Sequence, residues 1–309
     1  MNKFLITGMG GDMAQCISRI IKSEFKNSVI FGIDISKRNA AKMFCDHFEI
    51  APRANSEKFL DYITSLLEKN NIDYFIPCTE HELRVIAHLP ESHPLWKKTI
   101  TCSKSILEIC LDKNETFKFL KKNNIPVPWF TEDIDTIEKF PCIYKKKSSS
   151  GSRDIFQVSD KKEAAFLKNF SKDGLFQEYL SSDDSEYTCS IFQWNDGTFQ
   201  VIQLLRTLTG GSTSWARVEN VEVINELCKK IAQAFNLNGS LNIQLRMTPE
   251  GPMIFEINPR FSSTVYMRHL LGFKDVTWSI KKFQNEDLGT IPVMPFGKEM
   301  AKISEIATL

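Results

Sequence analysis

The sequence predicts two units of different fold class, an α/β unit in which short apolar strands alternate with helices, followed by a strand-dominated α+β unit. Three observations carry this expectation. The first hundred residues repeat a strand-helix rhythm, and from about residue 140 strands follow one another with hairpin punctuation. Near the end, the run Phe255-Glu256-Ile257-Asn258-Pro259-Arg260 sets a carboxylate, an amide and a guanidinium at every second position after an apolar segment.

Lys3 to Thr7 reads as a buried strand, Gly8 to Gly11 as a tight turn, Met13 to Ser23 as a helix, and Val29 to Ile33 as a second strand ending at Asp34. Helix Glu57 to Lys69, strand Tyr74 to Pro77, helix Glu80 to Leu89 and strand Thr99 to Thr101 continue the alternation. Such alternation implies a mostly parallel sheet covered by helices. The first unit is expected to end near residue 102. Helices Lys104 to Cys110 and Lys113 to Asn123 open the second, followed by the turn Asn124-Ile125-Pro126-Val127-Pro128. Asn195-Asp196-Gly197 and Pro249-Glu250-Gly251 mark hairpins.

At 309 residues and 42% hydrophobic content the chain can bury ordinary cores. With 39 basic against 38 acidic side chains the net charge is +1, so no global field draws nucleic acid or an acidic membrane. Any anion must be met locally. Only three apolar residues precede Gly8, too few for a leader's apolar core, and no later run approaches a membrane span; a cytoplasmic protein is expected. The eight cysteines form no Cys-x-x-Cys pair and sit near no histidine cluster, which reads as buried free thiols.

Alternate side chains of a strand share a face, so Glu256, Asn258 and Arg260 are expected to point together with Phe255 and Ile257 packed behind them. Two oxygen donors beside an arginine suit Mg²⁺ and a phosphate, although the triplet alone also fits a polar strand face with a surface ion pair. Pro259 has no N–H for a sheet and ends the pairing. Upstream, Pro141 to Lys145 reads as a strand entering Lys146-Lys147-Ser148-Ser149-Ser150-Gly151-Ser152-Arg153, and Ile155 to Val158 as its return. Backbone N–H groups and hydroxyls of such a loop can wrap phosphate oxygens; a solvated tip is the plainer alternative. Leu175 to Leu180, a polar turn over 181–185 and Glu186 to Ile191 read alone as a hairpin. As an extended hinge, the same stretch could recognise an adenine edge, with Glu186 accepting from ribose hydroxyls. Leu205 to Thr213, with two glycines, hydroxyls and Arg206, is a candidate acceptor-substrate loop.

With these pieces in order, the chain resembles the ATP-grasp superfamily, in particular its carbamoyl-phosphate synthetase-like and biotin carboxylase-like branch, over nearly its full length. The resemblance implies a Rossmann-like pre-ATP-grasp substrate domain over 1–102 and a two-lobed ATP-grasp domain over 103–309, with a lid subdomain at about 129–178. The helix-leading Asp112-Lys113 and the strand Phe140-Pro141-Cys142-Ile143-Tyr144-Lys145 match the family's two nucleotide-binding cations. By resemblance, Lys113 and Lys145 hold the α- and β-phosphates, and Ser149, Ser150, Gly151 and Ser152 close over the γ-phosphate. The hinge falls on Gln177, Glu178, Tyr179 and Leu180, the ribose acceptor on Glu186, and the metal set on Gln244, Glu256 and Asn258. Arg260 and Arg206 join Lys145 as the implied catalytic groups. ATP and Mg²⁺ are the implied cofactors, with Mn²⁺ an admissible substitute.

The implied activity is an ATP-dependent ligation in which a carboxylate is phosphorylated and an amine attacks the acyl phosphate, releasing ADP and phosphate. The partners are small-molecule carboxylate and amine substrates, with neither nucleic acid nor membrane; a homodimer is compatible. Two features depart from the family pattern. Many relatives carry proline after the lid-strand lysine and glycine where this chain has Asp154, whereas Lys146 and Lys147 make this loop more basic, and neutral Gln244 leaves a single carboxylate in the metal set. A carboxylating enzyme, a small-molecule kinase and a non-catalytic nucleotide-binding subunit stay open as alternatives. A weaker rival is a dinucleotide fingerprint at Gly8-Met9-Gly10-Gly11-Asp12-Met13-Ala14, which would suggest NAD. Met13 stands where its third glycine or alanine belongs, so Asp34 reads instead as a strand-end cap.

Overall fold

The computed structural model describes residues 1–147, 155–171, 173–181, 185–303, 306 and 308. Ser149, Ser150, Gly151 and Ser152, assigned above to the phosphate-covering loop, lie outside the described residues.

Strands β1 (Lys3–Ile6), β2 (Val29–Asp34), β3 (His47–Ile50) and β4 (Tyr74–Ile76) form a parallel sheet in the order β3-β2-β1-β4. Helices α1 (Asp12–Glu24), α2 (Phe59–Lys69) and α3 (Glu80–Ala87) connect them and lead out. Strand β3 escaped the sequence reading because it is a short, largely exposed edge without an apolar run. The strand expected at Thr99 to Thr101 reduces to one parallel bridge between Phe75 and Thr99. Asp34 caps the end of β2, accepting from the backbone N–H groups of Gly10 and Ser36 at 2.8 and 2.9 Å.

Helices α4 (Lys104–Cys110) and α5 (Lys113–Lys122) precede a small antiparallel sheet of β5 (Phe130–Thr131), β6 (Cys142–Lys146), β7 (Ile155–Val158) and β8 (Gly174–Glu178), in the order β5-β8-β6-β7. Helix α6 (Lys161–Phe170) joins β7 to β8. A larger antiparallel sheet contains β9 (Glu186–Gln193), β10 (Phe199–Thr209), β11 (Ser212–Glu219), β12 (Gly239–Thr248), β13 (Gly251–Asn258) and β14 (Glu299–Ala301), in the order β13-β12-β9-β10-β11-β14. Helix α7 (Glu222–Ala234) links β11 to β12, and α8 (Val265–Leu270) and α9 (Asp275–Phe283) follow β13.

Two expectations are corrected here. β8 and β9 belong to different sheets, so the segment read alone as a hairpin instead passes from one sheet to the next. Leu205 to Thr213 is no loop: β10 runs to Thr209, turns at Gly210-Gly211 with φ of 59° and 76°, and returns as β11. Positive φ at both positions is what glycine tolerates without strain.

One face of the large sheet packs Cys189, Ile191, Ile243 and Leu245 against α4, α5 and α7. The opposite face buries Phe192, Leu204 and Val218 with Phe273 and Trp278. Beyond β13 the chain folds back onto the first sheet, where Phe261, Val265, Val276 and Ile280 enter the same core as Phe4, Ile6, Ala14 and Ile17. A polar knot holds this return in place. Arg268 and Asp275, each 1% exposed, pair at 2.6 Å; Arg268 also donates to Ser262 and Thr264, and Ser240 on β12 donates to Asp275. All eight cysteines are free.

Removing one partner of a buried ion pair strands the other charge, at a cost of about 3–5 kcal/mol, whereas replacing both with apolar groups is often neutral. Asp275→Ala should therefore lower the urea midpoint sharply, and the double variant Arg268→Met/Asp275→Leu should recover most of the loss. Equal destabilisation in both would show that the knot's hydrogen bonds, not its stranded charge, set the stability.

Candidate functional site

The site is built on one face of the large sheet, where register lines polar side chains into cross-strand rows. Asn258 lies opposite Asn242, and Asn242 opposite Ser190; Glu256 lies opposite Gln244, and Gln244 opposite Thr188; Arg246 lies opposite Glu186. What sets this face is a bulge. Gln244 pairs with Glu256 but Leu245 pairs with Ile254, so Phe255 is an extra residue without a partner on β12. A bulge breaks the alternation of faces. Ile254 and Ile257 thus both enter the apolar core, while Glu256 and Asn258 face the site. The expectation that Phe255 packs behind the carboxylate is corrected: Phe255 lines a cavity beside Lys113 and Lys145.

The bulge also frees a carbonyl, since Phe255 O accepts from Lys145 Nζ at 3.0 Å. Lys145 stands on β6, is 4% exposed, and lies 4.8 Å above the Phe117 ring. Burial pulls its pKa down to about 7, nearby Lys113 adds to the fall, and Glu256 opposes it. Lys113 begins α5 because Asp112 caps that helix, accepting from the N–H groups of Asn114 and Glu115. Its ammonium sits 3.9 Å from Glu256. Lys147 pairs with Glu132 at 3.2 Å, and its carbonyl accepts from the Lys113 N–H.

At the far end of the same face, Glu186 is clamped between two arginines. Arg206 donates to Oε1 at 2.7 Å and Arg246 to Oε2 at 2.9 Å. Arg206 also donates to Gln244 Oε1 at 2.9 Å and is only 6% exposed, so its fork is held by protein groups. Gln244 therefore stands in the site as a partner of Arg206, while Glu256 and Asn258 present oxygen donors to the cavity. Arg246, which also donates to the Leu180 carbonyl, was missed by sequence reasoning. The alternation Asn242-x-Gln244-x-Arg246 carried its signal. Arg260 lies past the strand end, donating to Glu80 at 3.2 Å and to the Phe261 carbonyl at 2.9 Å.

Two cavities meet here. One, of about 230 Å³, is lined by Lys113, Lys145, Gln177, Glu178, Tyr179, Leu180 and Glu186. The other, of about 340 Å³, reaches from Asn258 and Arg260 to Gly8, Gly11 and Thr79 of the first unit. Arg206, Gln244 and Glu256 line both.

The donor set suits a phosphate-bound ion rather than a self-contained metal centre. Among the described residues no group of three His, Cys, Asp or Glu side chains could hold a metal. Glu256 and Asn258 offer hard oxygens, two lysines crowd one carboxylate, and Mg²⁺ prefers to complete its shell with phosphate oxygens and water.

Residues 170–306 match the family model described as ATP-grasp in the biosynthetic pathway with Ter operon, and residues 4–94 match the PylC-like N-terminal domain. The chain is 24% identical over 228 residues to the tyramine-L-glutamate ligase of Methanocaldococcus jannaschii, a match covering 71% of this chain and 66% of that protein. Its fold is similar to N5-carboxyaminoimidazole ribonucleotide synthetase from Thermotoga maritima, with a TM-score of 0.67 at 20% identity over 94% of this chain and 78% of that one. It is also similar to the biotin carboxylase domain of 2-oxoglutarate carboxylase from Hydrogenobacter thermophilus, with a TM-score of 0.74 at 14% identity over 96% and 73%. That structure is a dimer with MgADP, ADP and bicarbonate. The fold class expected from the sequence is the one found.

Lys145 gives the site a pH signature. Its folded pKa, near 7, lies below the ordinary lysine value, so below pH 7 the folded protein carries the full penalty of a buried charge, and stability rises with pH from about 7 toward 10.5. Lys145→Met removes that dependence. Its stabilisation relative to the natural protein should be larger at pH 6 than at pH 9 in urea titrations, and a pH-independent difference would contradict the burial argument.

Proposed function

This chain belongs to the ATP-grasp superfamily, and we propose that it is an ADP-forming ligase that activates a carboxylate with MgATP and transfers the acyl group to an amine. The reading rests above all on the wall shared by the two cavities, where Arg206, Gln244 and Glu256 face both. A nucleotide in the smaller cavity and an acid in the larger would meet there. A carboxylate oxygen then attacks the γ-phosphorus as its bond to ADP breaks; the amine next attacks the acyl carbon, losing a proton as phosphate leaves.

In this reading Lys113 and Lys145 receive the phosphates, and an anion beside Lys145 keeps it protonated despite its burial. Glu256 and Asn258 would hold Mg²⁺, or Mn²⁺ in its place. When bound, the ion supplies charge neutralisation for the transferring group. Gln177, Glu178, Tyr179 and Leu180 receive the base, and Glu186 the ribose. Two arginines polarise Glu186, so its oxygens are fixed before any hydroxyl arrives. Arg260, held by Glu80, faces the acid. Ser149, Ser150, Gly151 and Ser152 are assigned to cover the γ-phosphate and exclude water, which would hydrolyse an acyl phosphate. The similarity to a tyramine-L-glutamate ligase supports an amino-acid carboxylate and a primary amine as substrates. The dimeric biotin carboxylase domain supports assembly as a homodimer.

The test is ADP release from MgATP against pairs of amino acids and amines, beginning with glutamate and tyramine. Release should require acid, amine and Mg²⁺ together, and Glu256→Gln should lower kcat/KM by about a hundredfold or more. ADP release with a hydroxyl acceptor and no amine would make the protein a kinase. Nucleotide binding without turnover on any pair would make it a binding subunit.

Arg206 makes a separate prediction, because it lines both cavities through contacts to Glu186 and Gln244. Arg206→Lys keeps the charge but loses the fork, and should raise the Michaelis constants for ATP and for the acid together. A rise confined to the acid would place Arg206 on the acceptor alone.

A further inference from the structure

Arg260 also lines a third, partly open cavity of about 440 Å³, set between the first unit, the edge of the large sheet and α9. Its wall includes Trp96, Thr101, Ser240, Ser279 and Lys282, with Phe261 and Phe283 as apolar surface. Glu256, common to the other two cavities, is not part of it. The charge balance of this wall is one-sided. No aspartate or glutamate is among the described residues that line the cavity; of its two cations, Arg260 is paired with Glu80 behind the wall at 3.2 Å, which leaves Lys282 as the less compensated charge.

Lys282 donates to the Gln193 carbonyl at 3.0 Å and lies 5.7 Å from the Phe192 ring centroid. Burial draws its pKa down to about 8, with Asp196 opposing the fall. A bound anion would keep it protonated.

We propose that this cavity is a separate binding site for a small organic oxyanion, a carboxylate or phosphate carried on an apolar body, with Lys282 as its cationic anchor. The volume fits a small-molecule ligand, and the mixture of aromatic wall and few polar anchors is typical of such sites. The proposal does not depend on the ligase reaction.

The probes are benzoate and phenyl phosphate, titrated calorimetrically into the full chain with and without ADP. At least one should bind in both conditions, and the stronger of the two identifies the preferred oxyanion. Lys282→Gln should weaken that binding by about tenfold or more, the equivalent of one charge-assisted contact. Ser279→Phe, which fills the cavity from α9, should abolish it, with an unchanged melting temperature showing that the variant is folded. Absence of binding by both probes would overturn the proposal. So would binding that Lys282→Gln leaves intact, or binding lost when ADP is present, which would put the anion in the nucleotide cavity.

Discussion

One unpaired residue decides which way the reactive end of the large sheet faces. In a strictly alternating strand Ile254 and Glu256 would share a face, so either an isoleucine would stand in the site or a carboxylate in the apolar core. Burying an unpartnered carboxylate costs several kcal/mol. The extra residue at Phe255 removes the conflict and turns the next two polar side chains outward. It also leaves a backbone carbonyl to receive the buried ammonium of Lys145, which ties the small sheet to the large one at the point where their charges converge.

Around that point charges of both signs converge. Lys113, Lys145, Arg206, Arg246 and Arg260 gather near Asp12, Glu80, Glu178, Glu186 and Glu256. Arg206 and Arg246 share the single carboxylate of Glu186, and Arg260 pairs with Glu80. Lys113 stands 3.9 Å from Glu256, too long for a strong pair. Burial lowers the pKa of Lys145, and the neighbouring Lys113 adds to the fall. An anionic ligand relieves that repulsion, so the place where the protein is least comfortable is also where it is best prepared to bind phosphate.

The parts legible in the sequence were those with local signals. The strand-helix alternation of the first unit, the helix start at Lys113 and the alternate placement of Glu256 and Asn258 need only near neighbours. Edge strand β3 and helix α7 escaped notice, the first because it buries little. The bulge was invisible, since Phe255 continues the apolar run Met253-Ile254 and no glycine or proline stands at the bulge itself. The setting of Arg206 was equally hidden: its partners stand 20 and 38 residues away, brought together by strand register alone. Pairing across a sheet is a long-range property, and a single chain read from end to end does not display it.

The return of the chain after β13 has a consequence for how the molecule is made. Phe261, Val265, Val276 and Ile280 complete the core that begins with Phe4 and Ile6, so the first sheet leaves the ribosome long before its own cover does. Until residue 283 is synthesised, α1 presents an apolar flank with no native occupant. The amino-terminal unit is thus first to be translated but among the last to be closed, and it cannot be cut out as an independent cassette without carrying that late segment with it.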